Sequence, residues 1–115
     1  MQTTIQKRRI DDDDRKEVIL GLIADKYCRT ILTTTMIKPK SALDITLDTK
    51  VPISTVYRRL QMLHDNKLVS ISGQISDDGK KLFLYKSKVK GILSAFNNDQ
   101  VEIQIIPNTV KEIEN

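Results

Sequence analysis

The stretch from Val51 to Val69 commits the chain to a helix with two unlike faces. Ser54 is a suitable N-cap and Thr55 suits a first turn, so the helix is expected to start there and run to about Asn66. Val56, Leu60 and Leu63 recur at helical steps, an apolar stripe that has to pack on a core. The opposite face carries Thr55, Tyr57, Arg58 and Gln61, with Arg59 nearby. Hydroxyls, an amide, an aromatic ring and guanidinium groups match the donors and acceptors of phosphates and of base edges in a major groove. Arg in particular can grip guanine or phosphate with two parallel hydrogen bonds. The plainer reading is an amphipathic helix with a solvated polar face.

Charge favours the first reading by its distribution. The net charge of 115 residues is only +4. Residues 51–91 hold eight basic and three acidic side chains, whereas 92–115 hold one and four. The basic surplus therefore sits on this helix and the segment after it, the footprint expected of a module that meets a polyanion. A chain this short supports one domain with one modest core. Cys28 is the only cysteine. It excludes an internal disulfide and a multi-cysteine metal site, and the chain reads as a cytoplasmic protein of a reducing compartment. No apolar run is long enough to span a membrane, and Met1 to Ile10 lacks the apolar core of a signal peptide.

Before the helix, Met1 to Ile10 is polar, with Lys7, Arg8 and Arg9 clustered, and reads as a flexible arm within 1–14. Asp11 to Asp14 fit a helix start, where carboxylates suit the cap and dipole. From about Arg15, Val18, Ile19, Leu22, Ile23, Tyr27, Ile31, Leu32 and Met36 keep helical spacing, with Asp25 able to break the run into two helices. Pro39 ends it. Ser41 offers a fresh N-cap with Asp44 at the capping-box position, for a short helix from Ala42 to Leu47 burying Leu43, with Ile45 and Leu47 as further candidates for burial. Asp48, Thr49, Lys50 and Pro52 make the turn into the next helix.

After Lys67 the period becomes alternating. Leu68 to Ile71 and Lys80 to Lys86 read as two strands around a polar loop from Ser72 to Gly79. Gln74 in this hairpin, with Lys80 and Lys81 at its base, can touch a phosphate backbone or minor groove, although Asp77 and Asp78 argue against deep insertion of the tip. Ser87 to Phe96 and Val101 to Ile106 form a second hairpin around Asn97 to Gln100. If Phe96 pairs with Val101, Ile92 meets Ile105. Such an apolar hairpin must be covered, either by the first helix of its own chain or by a second subunit.

This order of helices and strands resembles the winged helix-turn-helix transcription regulators of ArsR-like type found in archaea and bacteria. The likeness spans Glu17 to Lys86. It is carried by Leu22-Ile23-Ala24-Asp25-Lys26-Tyr27-Cys28-Arg29-Thr30-Ile31-Leu32, which is similar to that family's first-to-second helix signature. More specific is Ser54-Thr55-Val56-Tyr57-Arg58-Arg59-Leu60 with Leu63 and Leu68-Val69, which resembles its recognition helix and wing entry. The resemblance implies that Ser54, Thr55, Tyr57 and Arg58 face the groove, with Arg59 and Lys50 nearer the DNA backbone. Two departures stand out. Asn66 and Lys67 occupy a turn where the family has Gly, so a non-glycine residue must be left-handed, and Asn66 is the less costly choice. The helix before the turn also lacks the clustered cysteines of metal-sensing members, so metal sensing is not expected.

The resulting expectation is an α+β winged helix-turn-helix, three to four helices plus a β-hairpin wing, over 15–86. A C-terminal β-hairpin extension over 87–107 and a frayed tail over 108–115 follow. Its function is read as sequence-specific recognition of double-stranded DNA in transcription regulation, by a homodimer, because one helix reads too few base pairs. No cofactor, small-molecule effector or membrane partner is indicated. Arg58 and Tyr57 carry specificity in this reading; Arg59, Lys50, Lys80 and Lys81 carry affinity. The alternative is a winged-helix module for protein contacts, working through the C-terminal hairpin. An enzyme has least support: no nucleophile and base, metal cluster or phosphate-binding glycine loop is present. Cys28 reads as a structural thiol and His64 as a surface histidine.

Overall fold

A computed structural model of the protein describes residues 6–109. What was expected of Met1 to Ile5 and of 110–115 lies outside them. The fold is α+β. Four helices, α1 (Asp13–Ala24), α2 (Lys26–Thr34), α3 (Ala42–Thr49) and α4 (Ile53–Asp65), precede two antiparallel hairpins. The first pairs β2 (Val69–Ile75) with β3 (Lys81–Ser87). The second pairs β4 (Val89–Asn97) with β5 (Gln100–Pro107), and a short β1 (Arg8–Ile10) adds to β5 in the order β1-β5-β4.

Caps explain most of the helix boundaries. Asp12 accepts the Arg15 N–H at 3.0 Å, so the aspartate run does start α1. Asp25 stops α1 and restarts the chain as α2 by accepting the Cys28 N–H at 2.9 Å. Ser41 accepts from Asp44 N at 3.1 Å and opens α3. The fourth helix departs from expectation: its N-cap position is Pro52, which has no side chain to cap with, and Ser54 lies inside the first turn. Proline suits a helix entrance because its φ is already set and it has no N–H there to lose. Its far end closes on Lys67, not Asn66, in the left-handed region at φ 61°. Leu68 N–H bonds Leu63 C=O at 2.9 Å and Lys67 N–H bonds His64 C=O at 3.0 Å, the two bonds of a Schellman closure, with Leu63 and Leu68 both buried.

One cluster of buried side chains runs through all these parts: Ile19 and Leu22 from α1, Ile31 from α2, Ile45 from α3, and Val56, Leu60 and Leu63 from α4. Val69, Val89, Ile103 and Ile105 complete it from the strands, with Ile10. The segment read as an extension over 87–107 thus shares its core with 15–86. Phe96 does pair with Val101 and Ile92 with Ile105. Of the two covers the sequence left open, α1 of the same chain lies on β5 and β1. The flexible-arm reading fails at Arg8 to Ile10, which pair with Ile105, Gln104 and Ile103 and bury Ile10.

Two further expectations are corrected. Helix α3 buries Ala42 and Ile45 and leaves Leu43 and Leu47 at 59% and 61% exposure. The break at Asp25 likewise resets the stripe in α1 and α2, so Val18 and Tyr27 face outward. The first hairpin is also longer than read, because Ser72 to Ile75 continue β2 and pair with Leu84 to Lys81. Lys40 joins its edge: Lys40 N–H bonds Tyr85 C=O at 3.0 Å and Tyr85 N–H bonds Lys40 C=O at 2.8 Å.

Candidate nucleic-acid interface

Helix α4 sits on α2 and α3 through Val56, Leu60 and Leu63, all buried. A 3.6-residue repeat then obliges Ser54, Tyr57, Arg58 and Gln61 to the far side, and all four are exposed. Tyr57 is 55% accessible. The Arg58 side chain makes no ion pair or hydrogen bond with any described residue. Gln61 donates to Asp65 at 2.8 Å along the helix surface. Thr55 is half-buried at the margin of this face. With no side chain capping α4, its first backbone N–H groups stay open to an outside acceptor, and the positive end of the helix dipole favours an anion there.

Arg59 has a different task from the one expected of it. Its Nε and an Nη lie 3.1 and 3.0 Å from Asp25 Oδ2, and the guanidinium stands 5.7 Å from the centre of the Tyr27 ring. The group is partly buried and ties α4 to the α1–α2 junction. Partial burial pushes the Asp25 carboxyl up, but the Cys28 N–H and then the Arg59 charge and hydrogen bond outweigh it, leaving the group below the usual carboxylate range.

The β2–β3 hairpin flanks α4. Tyr57, Lys81, Phe83 and Tyr85 line one cleft of about 340 Å³ with Leu43 and Asp44 of α3. Lys81 Nζ stands 5.2 Å from the Phe83 ring centre. Burial first, and Tyr57 second, push the Tyr85 hydroxyl up. Gln74 pairs with Leu82 and Ile75 with Lys81, so by strand alternation Gln74 points to the opposite face from Lys81. The structure thus joins Tyr57 and Lys81 but not Gln74. Lys80 is exposed beside the tip, 3.8 Å from Asp78, where Ser76 hydrogen-bonds Asp78 and closes the turn on Lys80 at 2.8 Å. Lys50 is exposed in the α3–α4 turn, left-handed at φ 66°.

Sequence reading missed Leu43, Leu47 and Phe83 as surface residues. Leu43 and Leu47, four apart on a short helix, carry the same signal as a core stripe, so periodicity alone points them inward. Among the described residues no group of three or more His, Cys, Asp or Glu is placed to hold a metal ion, and no helix is long and apolar enough to cross a membrane.

No family model matches the chain, and no curated protein matches its sequence. A solved structure from Methanosarcina mazei Go1, described as a possible transcriptional regulator, aligns with 72% of this chain and 76% of its own length. The TM-score is 0.53 at 20% identity, so the two chains share a fold.

Proposed function

We propose that the protein is a winged helix-turn-helix regulator of transcription that binds double-stranded DNA as a homodimer, with α3 and α4 as the helix-turn-helix and β2–β3 as the wing. The observation that carries this reading is the outward face of α4: Ser54, Tyr57, Arg58, whose side chain has no partner among the described residues, and Gln61, on a helix whose back is packed through Val56, Leu60 and Leu63. Rigid presentation matters because base-edge hydrogen bonds are directional, and a side chain on a braced helix loses little order on binding. Tyr57 and Arg58 read bases; Lys50, Lys80 and Lys81 meet phosphates, with the open N-terminus of α4 as a further phosphate contact. The description of the Methanosarcina mazei neighbour and the ArsR-like sequence pattern agree with this reading. Arg59 is left out of the reading set because Asp25 holds it.

Fluorescence anisotropy against own-promoter and random duplexes at several salt concentrations tests the proposal. Arg58→Ala is expected to weaken promoter binding by about 1–3 kcal/mol and to narrow the preference over random DNA. Equal binding of both duplexes, indifferent to Arg58, would sink it. One observation favours a second reading, a module for protein contacts: Leu43 and Phe83 are exposed apolar side chains that share a cleft with Tyr57, and Leu47 of α3 is exposed too. That reading takes over if duplex binding is absent.

A further inference from the structure

The order β1-β5-β4 gives β4 a neighbour on one side only among the described residues. The two edges of this sheet differ in kind. β1 is three residues long and carries Arg8 and Arg9, the short and charged type of edge that resists further pairing. β4 is nine residues long, and from Gly91 to Asn98 the chain holds no charged side chain. Leu93, Ser94, Ala95 and Phe96 are all exposed, Phe96 at 76%. Backbone N–H and C=O groups along such an edge form a template for another strand.

We propose that β4 pairs antiparallel with β4 of a second copy, across a two-fold axis through Ser94, giving one continuous six-stranded sheet. A two-fold axis perpendicular to a sheet keeps each face on its own side, so the axis must pass through one residue position on each strand. Ser94 is the position at which the side chains match. It sets Ile92 of one copy against Phe96 of the other, on the face that carries Ile103 and Ile105 toward the core. It also brings Lys90, at the bulge near the start of β4, toward the Asn98–Asp99 turn of the other copy, so each end of the seam faces a cation to the turn that holds a carboxylate. An axis at Leu93 would place Lys90 against Phe96, and one at Ala95 would place Ile92 against Asn98. The seam supplies the exposed Phe96 with an apolar neighbour and the half-buried Ile92 with a lid. The outer edge of β2 is also uncharged and leaves Ile71 and Ile75 exposed, but Ser72, Gly73 and Gln74 interrupt its apolar surface, and it belongs to the hairpin beside α4.

The inference names the contact for the dimer assumed under the proposed function, and its test uses no DNA, so either can fail alone. In the full chain, Ser94→Cys places two thiols at the axis, where paired Cα atoms about 4.5–5.5 Å apart suit a disulfide. Cys28, buried, does not compete. Under mild oxidation Ser94→Cys is expected to become a covalent dimer, while Ser72→Cys on β2 and Val18→Cys on α1 stay largely uncrosslinked. In sedimentation equilibrium the wild type is expected to be dimeric, and Ser94→Lys, an exposed substitution facing its own copy, to dissociate about tenfold or more readily with an unchanged circular dichroism spectrum. A monomeric wild type, a dimer indifferent to Ser94→Lys, or faster crosslinking at Ser72→Cys or Val18→Cys would overturn the proposal.

Discussion

Asp25 and Arg59 form a two-point clamp between elements 34 residues apart: Oδ2 receives both Nε and an Nη of the arginine, at 3.1 and 3.0 Å, while Oδ1 caps α2. Both side chains are about a quarter exposed, so the pair is worth less than a fully buried one. Arg59→Ala is expected to cost about 1–2 kcal/mol, and Asp25→Ala about 1 kcal/mol more because the cap goes too. Urea midpoints at fixed slope measure both. Because the folded pKa of Asp25 is depressed, its contribution is complete above the unfolded value of about 4 and fades as pH falls through the lower folded value. Asp25→Asn should therefore flatten the acid limb of the stability curve. An unchanged acid limb would mean that the clamp contributes nothing.

Lys50, Lys80 and Lys81 are exposed and stand near the outward face of α4 or on the flanking hairpin. If they meet phosphates, each change to Ala lowers the slope of log affinity against log salt by about 1 while leaving the promoter preference intact. Arg58→Ala does the reverse, changing preference more than slope. Slopes equal to that of the wild type in all three lysine variants would remove them from the interface.

Cys28 is fully buried, and burial, with the Asp25 charge next, pushes its thiol up to about 11. The thiolate is the reactive form, so a neutral-pH thiol reagent is expected to leave the native protein unmodified for hours and to react once urea unfolds it. Rapid native labelling would show that α2 opens freely.

Lys67 carries a left-handed backbone that only glycine adopts without strain. Lys67→Gly is expected to raise stability by about 0.5–1 kcal/mol, seen as a higher melting temperature, since relief of a Cβ clash exceeds the added chain entropy. A lower melting temperature would place the strain elsewhere.

Elements with a local cause could be read from the chain. The register of the second hairpin, with Phe96 against Val101, follows from turn residues at Asn97 to Gln100 and alternation on either side. The break at Asp25 and the cap at Ser41 were legible, and in both the side chain bonds an N–H three residues on. The left-handed residue was misplaced by one because it depends on where the last helical hydrogen bond falls, not on residue preference. Leu43 and Leu47 were misread because which side of a short helix faces the core is set by partners distant in sequence. The pairing of Arg59 with Asp25 was hidden for the same reason: nothing local ties the two together. The β1–β5 pairing was invisible because Arg8 to Ile10 is too short to show a period. Of the candidate site, the stripe from Ser54 to Gln61 was legible from its spacing, and the separation of Gln74 from Lys81 was not, since it depends on where strand β2 ends.

Arg8 pairs with Ile105, so among the described residues the first strand in chain order is completed by the last. Pairings this distant in sequence form late and slowly, after the loop between them has been closed. The helices and the β2–β3 hairpin can assemble during synthesis, but Ile10, Ile103 and Ile105 find one another only once the chain has been made past Ile105. Until then the nascent chain holds a strand of arginines and an open apolar flank of α1, and a ribosome that stalls before the codon for Ile103 releases a protein whose core has no floor.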